Sequence, residues 1–78
     1  MTIETLYRQR APQAASQPFD ELSVVAVLRE VRTEEGIAIP AGTEGTVVAV
    51  YPGGLSYEVE FLQPAGIATV RADGLRAI

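Results

Sequence analysis

The sequence predicts a small all-β barrel of five short strands that follows an N-terminal arm. Segments rich in β-branched residues recur along residues 19–78, and turns containing proline and glycine separate them about every eight to twelve residues. Residues 55–62 also alternate between apolar and polar side chains. Because a closed barrel removes the exposed edges of a short sheet, it is favoured over an open sheet. The 78 residues suffice for one domain, so we expect an arm over residues 1–18 and the barrel domain over residues 19–78.

The pattern of the arm differs from that of the remaining chain. Ile3, Leu6, Tyr7 and Arg10 recur at helical spacing, which is consistent with a short helix. Residues 11–18 contain two prolines and no periodicity, as a linker does. We predict a loose arm, as chain termini usually are; the alternative is an arm that docks on a partner or on a second copy.

The first strand is predicted over residues 23–29, where both faces are apolar and β-branched residues dominate, as in a strand covered on both sides. A charged loop over residues 30–39 follows and contains Glu34 and Glu35. Residues 39–42 place proline second and glycine fourth, which favours a type I turn.

A second strand is predicted over residues 44–51, in which Gly45 indicates a bulge or a bend. Residues 52–54, Pro-Gly-Gly, are the clearest hairpin signal in the chain. The third strand, over residues 55–62, has the cleanest alternation. One set of its side chains points to the core (Leu55, Tyr57, Val59 and Phe61) and the other to solvent (Ser56, Glu58 and Glu60).

Two further strands complete the predicted sheet. Residues 63–66 again place proline second and glycine fourth in a turn, and the fourth strand follows over residues 67–72. Its side chains Ala68, Val70 and Ala72 alternate with Thr69 and Arg71. Residues 73–75 are typical of a tight turn, which leaves residues 76–78 for a last short strand.

The composition excludes several classes of function. The chain has no histidine, cysteine or lysine and so lacks the usual general bases, nucleophiles and Schiff-base residues; we expect no enzyme, no catalytic residue and no cofactor. The formal net charge of −4 disfavours nucleic acid as a partner. No apolar run is long enough for a membrane span, and without a signal-peptide pattern we expect a cytoplasmic location.

Three blocks of the sequence occur in the order found in a known family. They are Asp-Glu-Leu-x-Val-Val-Ala-Val-Leu at residues 20–28, Gly-Thr-x-Gly-Thr-Val-Val-x-Val-Tyr at residues 42–51 and Tyr-Glu-Val-Glu-Phe at residues 57–61. With them, residues 19–78 resemble an uncharacterised family of small bacterial SH3-like barrels, the domain of unknown function 4926. The resemblance implies an SH3-like fold without catalytic residues. It also implies an accessory, antitoxin-like or immunity-like role as partner of a neighbouring bacterial protein, although the missing lysines and the arm depart from the family.

Glu58 and Glu60 are the most suggestive pair of carboxylates. They lie on one face of the third strand, about 7 Å apart by strand rise, which is compatible with acid–base catalysis. The same pattern is typical of any solvent-exposed strand face, on which Arg71 or Arg29 from a neighbouring strand would pair with them. We favour this structural interpretation because no pocket and no partner base is evident.

Four glutamates and one tyrosine are predicted to bind a partner. An acidic first loop suits a basic peptide or protein face, although a merely solvated loop has the same composition. Tyr51 ends its strand and is expected to be half-exposed. No metal site is predicted, because the spacing of the acidic residues matches no calcium loop. The predicted partner-binding residues are Glu34, Glu35, Tyr51, Glu58 and Glu60.

We therefore expect a non-catalytic protein-interaction module whose partner is another protein. A chain of this size buries only about 60% of its unfolded surface, so self-association into a homo-oligomer is a further expectation. The alternative function is that of a small barrel that binds a small ligand or a nucleic acid.

Overall fold

The structure is a computed structural model and describes residues 19–78. This part of the chain has seven strands and two short 3-10 turns, and it contains no α-helix. The strands are β1 (Val24–Val27), β2 (Val31–Arg32), β3 (Ala38–Ile39), β4 (Glu44–Val50), β5 (Ser56–Leu62), β6 (Ala65–Arg71) and β7 (Leu75–Ala77). The 3-10 turns are Pro52–Gly54 and Ala72–Gly74. The predicted arm over residues 1–18, with its short helix, lies outside the described residues.

Five of the strands form one antiparallel sheet in the order β6-β5-β4-β1-β7. Val59 on β5 lies opposite Val47 on β4 and Ala68 on β6, and Val27 on β1 lies opposite Leu75 on β7. The remaining strands, β2 and β3, pair as a hairpin within the connection between β1 and β4. The all-β class and the five principal strands are therefore confirmed.

The core lies on one face of this sheet. Tyr57 and Val59 have no exposed surface and Phe61 has 1%, so the predicted alternation of the third strand is confirmed for these residues. Phe19 packs on them, with its ring edge-on to that of Tyr57 at 5.4 Å between centroids and its backbone N–H donating to the Tyr57 hydroxyl oxygen at 3.3 Å. The other buried members of the cluster are Val25, Val27, Ile39, Val47, Ala68, Val70 and Leu75.

The charged loop predicted over residues 30–39 contains an additional hairpin. Val31 on β2 lies opposite Ile39 on β3, and Ile39 is fully buried in the core. Thr33 closes the turn, because its Oγ1 accepts a hydrogen bond from Ile37 N at 3.0 Å and its own N–H donates to Ile37 O at 2.9 Å. The prediction of a continuous loop was wrong because strands of two residues are too short to show an alternating pattern.

Two loops shift the predicted strand boundaries. Leu55, predicted to be a core side chain, is 66% exposed because it still has right-handed helical backbone angles at the end of the turn Pro52–Gly54. The alternation of β5 therefore begins one residue later. The tight turn predicted over residues 73–75 is the 3-10 turn Ala72–Gly74 instead, and Leu75 packs in the core as the first residue of β7.

The connection between β5 and β6 is tighter than predicted. It comprises only Gln63 and Pro64, which are joined by a cis peptide bond. Leu62 pairs directly with Ala65, so β6 begins earlier than residue 67. The predicted turn over residues 63–66 was therefore placed too late in the chain.

Gly45 allows close packing, and of its two predicted roles, a bulge or a bend, the bulge is wrong. The register shift of β4 lies between Val47 and Ala49, and Gly45 keeps regular pairing with β1. A Cβ atom at Gly45 would lie 2.7 Å from Val59 Cγ1 and 2.8 Å from the backbone oxygen of Glu60. The strands β4 and β5 can approach this closely only because the residue is glycine.

Candidate functional site

The side chains of β4, β5 and β6 that point away from the core form the outer face of the sheet. We define this outer face by Thr46, Glu58, Glu60, Ile67 and Thr69. Glu60 lies opposite both Thr46 and Ile67, and Glu58 lies opposite Thr69. Ile67 is 37% exposed, so the outer face combines two carboxylates with an accessible apolar side chain.

Two hydroxyl groups hold the carboxylate of Glu58. The hydroxyl of Tyr51, the residue directly after β4, donates a hydrogen bond to Glu58 Oε2. Thr69 Oγ1 donates to the same oxygen at 3.0 Å. Since hydrogen bonds to an ionised acceptor are stronger than neutral ones, these two contacts keep the carboxylate in one orientation.

The other carboxylate oxygen of Glu58 has no partner among residues 19–78. Oε1 is buried and accepts no hydrogen bond there, although a carboxylate oxygen can accept more than one. A buried acceptor that is left without a partner costs about 1–3 kcal/mol, and more when it is charged. An N–H group of a bound molecule would remove this cost.

The contact with Glu58 also changes the acidity of Tyr51. Its hydrogen bond to Glu58 raises the pKa of Tyr51 above the ordinary value of 10.0, whereas the neighbouring hydroxyl of Thr69 lowers this pKa. Burial and the negative charges of Glu58 and Glu34 raise this pKa further. Glu34 is therefore near enough to the Tyr51 hydroxyl for its charge to act on that group.

A groove of about 350 Å³ lies between the first long loop and β6. The loop is attached to the strand because Glu34 N donates to Ile67 O at 2.9 Å. Gly66 leaves room for the loop, since a Cβ atom there would lie 2.6 Å from Thr33 Cγ2. The groove thus brings two carboxylates close to an exposed isoleucine. Its lining residues are Thr33, Glu34, Glu35, Ala65, Gly66 and Ile67.

A second groove, of about 320 Å³, lies between the first half of β4 and the end of β5. Glu60 lines it together with Leu62, which is 82% exposed, and Val24, which is 46% exposed. Because Glu60 also lies opposite Ile67, exposed apolar side chains lie on both sides of this glutamate. The remaining lining residues are Thr43, Glu44, Gly45, Thr46 and Gln63.

The five predicted partner-binding residues do not form a single cluster. Tyr51 and Glu58 are hydrogen-bonded to each other, and Glu34 acts on Tyr51 through its charge. Tyr51 is 42% exposed, which confirms the prediction of a half-exposed side chain. Glu35 lines the first groove and Glu60 the second, and neither of them is hydrogen-bonded to the pair.

The predicted pairing of Glu58 or Glu60 with Arg71 or Arg29 is wrong. Arg71 Nε lies 3.7 Å from Asp73 Oδ1, and within residues 19–78 neither glutamate forms a salt bridge. The reason is the register, because Thr69 and Ile67 lie opposite the two glutamates on β6 and Arg71 lies further along the strand.

Thr69 was missed as a functional residue. Its alternation with Ala68 and Val70 indicated the outer face, but its contact with Glu58 depends on the register of β5 against β6, which the length of the connecting loop sets. Counting outward from the pair of Leu62 and Ala65 reaches Glu58 opposite Thr69. Recognition of the two-residue loop would therefore have identified the contact.

The described residues carry more negative than positive side chains. Residues 19–78 contain nine carboxylates and four arginines, a formal charge of −5. Within this part of the chain, no group of three or more acidic side chains is arranged to hold a metal ion. Its helical segments are also too short to traverse a lipid bilayer.

Comparisons of the chain with protein-family models, with curated proteins and with solved structures found no match in any of the three. The chemistry and geometry of the outer face are therefore the basis of the functional interpretation.

Proposed function

We propose that this protein is a non-catalytic interaction module with an SH3-like barrel, and that its outer face binds a basic segment of another protein. The strand order supports the barrel, because β7 returns beside β1 as the last strand of an SH3-like barrel returns beside the first. The long connection between β1 and β4 and the 3-10 turn Ala72–Gly74 before β7 also agree with that fold.

The environment of Glu58 is the single observation that carries the proposal. Tyr51 and Thr69 hold its carboxylate in one orientation, so a fixed negative charge is presented to a guanidinium or ammonium group. The exposed Ile67 nearby offers apolar surface to the hydrocarbon part of such a side chain. The formal charge of −5 over residues 19–78 attracts a basic partner over longer distances and repels a phosphate backbone.

The absence of histidine, cysteine and lysine from the sequence supports a non-catalytic role, since the usual general bases and nucleophiles are missing. Two hydroxyl groups already occupy Glu58 Oε2, which suits a fixed binding group better than a group that transfers protons. The family resemblance makes a neighbouring bacterial protein, in an antitoxin-like or immunity-like relation and in the cytoplasm, the first class of partner to test.

A defined basic probe tests the proposal. We suggest fluorescence anisotropy of the full chain with a labelled short peptide of alternating arginine and valine, compared with a neutral peptide of alternating glutamine and valine. The variant Glu34→Gln/Glu58→Gln/Glu60→Gln removes the carboxylates of the site. We expect it to bind the basic peptide at least about tenfold more weakly than the wild type, because a desolvated charge contact is lost.

A matched control separates the site from overall charge. The variant Asp20→Asn/Glu21→Gln/Glu30→Gln removes the same formal charge from residues that are not part of the outer face, and we expect less than about a threefold change. An equal loss in both triple variants, or no saturable binding by a form of the chain that is monomeric in solution, would contradict the proposal. Tight binding of a labelled RNA that weakens steeply with added salt would instead support the nucleic-acid alternative.

A further inference from the structure

The free edge of β6 carries an inference beyond the binding of a basic segment. β6 is the outermost strand of the sheet on the side of β5. Ile67 O points away from β5, since it accepts the hydrogen bond of Glu34 N at 2.9 Å. In a strand the N–H and C=O groups of one residue point to the same side and alternate from residue to residue. Thr69 and Arg71 therefore direct their backbone groups to the same free side as Ile67.

This free edge is short and has defined ends. Among residues 19–78, this side of β6 makes one backbone hydrogen bond to another segment, the bond from Glu34 N to Ile67 O. At the other end the chain enters the 3-10 turn Ala72–Gly74 and leaves the edge for β7. The side chains of Thr69 and Arg71 between these ends are exposed. An unpaired edge of this kind can accept another strand.

We propose that β6 pairs with β6 of a second copy of the chain and that Arg71 of each copy binds Glu58 of the other. The strands are antiparallel, with Thr69 opposite Arg71 of the second copy and the two Val70 residues at the twofold axis. In this register each Thr69 exchanges both backbone hydrogen bonds with the opposite Arg71. Neither the loop at Glu34 nor the turn Ala72–Gly74 lies between the paired residues.

The register also provides charge complementarity. Thr69 lies opposite Glu58 within one copy, so Arg71 of the second copy is about two strand spacings, roughly 10 Å, from Glu58 between Cα atoms. All three side chains are on the outer face, and the extended side chains of arginine and glutamate together span this distance. The guanidinium then lies within reach of the Glu58 carboxylate, which forms no salt bridge within residues 19–78.

Arg71 is available for this contact. Within its own copy its Nε lies 3.7 Å from Asp73 Oδ1, and both side chains are largely exposed. An exposed ion pair of this kind contributes little to stability. A second copy thus brings a cation to the Glu58 carboxylate, which has none beside it within residues 19–78. The inference rests on the proposed interaction function and names one arginine-bearing segment, β6 of a second copy, as a partner of the outer face.

A charge exchange tests this pairing in the full chain. Sedimentation equilibrium of the wild type should give twice the chain mass. Arg71→Glu and Glu58→Arg should each weaken the dimer at least about tenfold by placing like charges together, and Glu58→Arg/Arg71→Glu should restore it.

Arg76→Glu on the opposite edge strand β7 makes the same charge change and should leave the mass unchanged. Melting curves show which variants fold, and Arg71→Glu changes only an exposed side chain.

A second pair of variants tests the backbone contact. Because the N–H of Thr69 points to the free edge, Thr69→Pro removes a donor of the dimer without removing one from the pairing with β5. We expect Thr69→Pro to abolish the dimer and Thr69→Ser, which keeps both the N–H and the hydroxyl that orients Glu58, to retain it. A monomeric wild type, or a dimer that neither Arg71→Glu nor Thr69→Pro weakens, would overturn the pairing.

The experiments distinguish a failure of the β6 pairing from a failure of the proposed function. A wild type that is monomeric and binds the arginine–valine peptide overturns the β6 pairing and leaves the interaction function supported. The opposite result has two parts: the dimer responds to the charge exchange, and the monomeric variant Arg71→Glu, whose outer face is free, does not bind the peptide. This result supports the pairing and counts against the binding of other basic segments.

Discussion

The two faces of β5 have opposite relations to the rest of the molecule. On the inner face, Tyr57, Val59 and Phe61 are buried in the single core cluster, and packing alone accounts for each of them. On the outer face, Glu60 and Leu62 are exposed, and nothing in the core requires a carboxylate or a leucine there. The comparison teaches that one strand can specify the fold with alternate residues while the intervening residues remain free for binding.

Within the outer face, Glu58 and Glu60 differ although their places in the sequence pattern are equivalent. Glu58 is partly buried and accepts hydrogen bonds from Tyr51 and Thr69, whereas Glu60 is exposed between Thr46 and Ile67. The difference arises from the neighbouring strands and the loop after β4. The environment of a side chain on a sheet therefore depends on register as much as on alternation.

We expect the largest effect on the free energy of unfolding from placing a charge on the apolar inner face. Val59→Asp buries an unpaired charge at a position with no exposed surface, so we predict a loss of roughly 4 kcal/mol or more in the free energy of unfolding. The equivalent change on the outer face, Leu62→Asp, should alter it by no more than about 0.5 kcal/mol. Chemical denaturation of both variants checks this, and similar losses would refute the assignment of the two faces.

A smaller effect is expected where β4 crosses close to the inner face of β5. A Cβ atom at Gly45 would lie 2.7 Å from Val59 Cγ1 and 2.9 Å from Phe61 Cδ1, so Gly45→Ala should cost about 1–3 kcal/mol through overpacking. Thr46→Val, one residue along on the outer face, keeps the branched shape and should change stability by less than about 0.5 kcal/mol. Thermal melts that rank the two variants in the opposite order would show that the strands do not approach as described.

The smallest expected effect is a change in the pKa of Tyr51, which distinguishes Glu58 from Glu60. The pKa of Tyr51 is raised chiefly because its neutral hydroxyl donates to Glu58, so Glu58→Gln should lower the pKa of Tyr51 towards its ordinary value. Glu60→Gln should leave it unchanged. Ultraviolet titration of each variant, with Tyr51→Phe to identify the signal among the three tyrosines, measures the shift. A lower pKa in Glu60→Gln alone would contradict the contact.

Much of the fold follows from local patterns. The alternation of Tyr57, Val59 and Phe61 predicts the inner face, and the proline and glycine turns locate the loops between the main strands. Leu55 was assigned to the wrong environment because a 3-10 turn delays the start of β5, a matter of backbone angles that apolar character does not reveal. The hairpin that brings Ile39 into the core was too short for its pattern to be recognised.

The candidate site was only partly predictable for a related reason. Glu34, Tyr51 and Glu58 could be selected one by one from charge, position and alternation. Their proximity depends on the attachment of the loop to Ile67 and on the two-residue connection that sets Thr69 opposite Glu58. These are contacts between segments distant in sequence, which a single strand pattern does not determine.

The central claim, that the outer face binds a basic partner, is tested most directly by amide chemical shifts during titration with the arginine–valine peptide. We predict saturable changes at Glu34, Glu58, Glu60, Ile67 and Thr69, and none in β7 or at residues 20–22. Changes confined to those control segments, or spread evenly over all acidic residues without saturation, would contradict it.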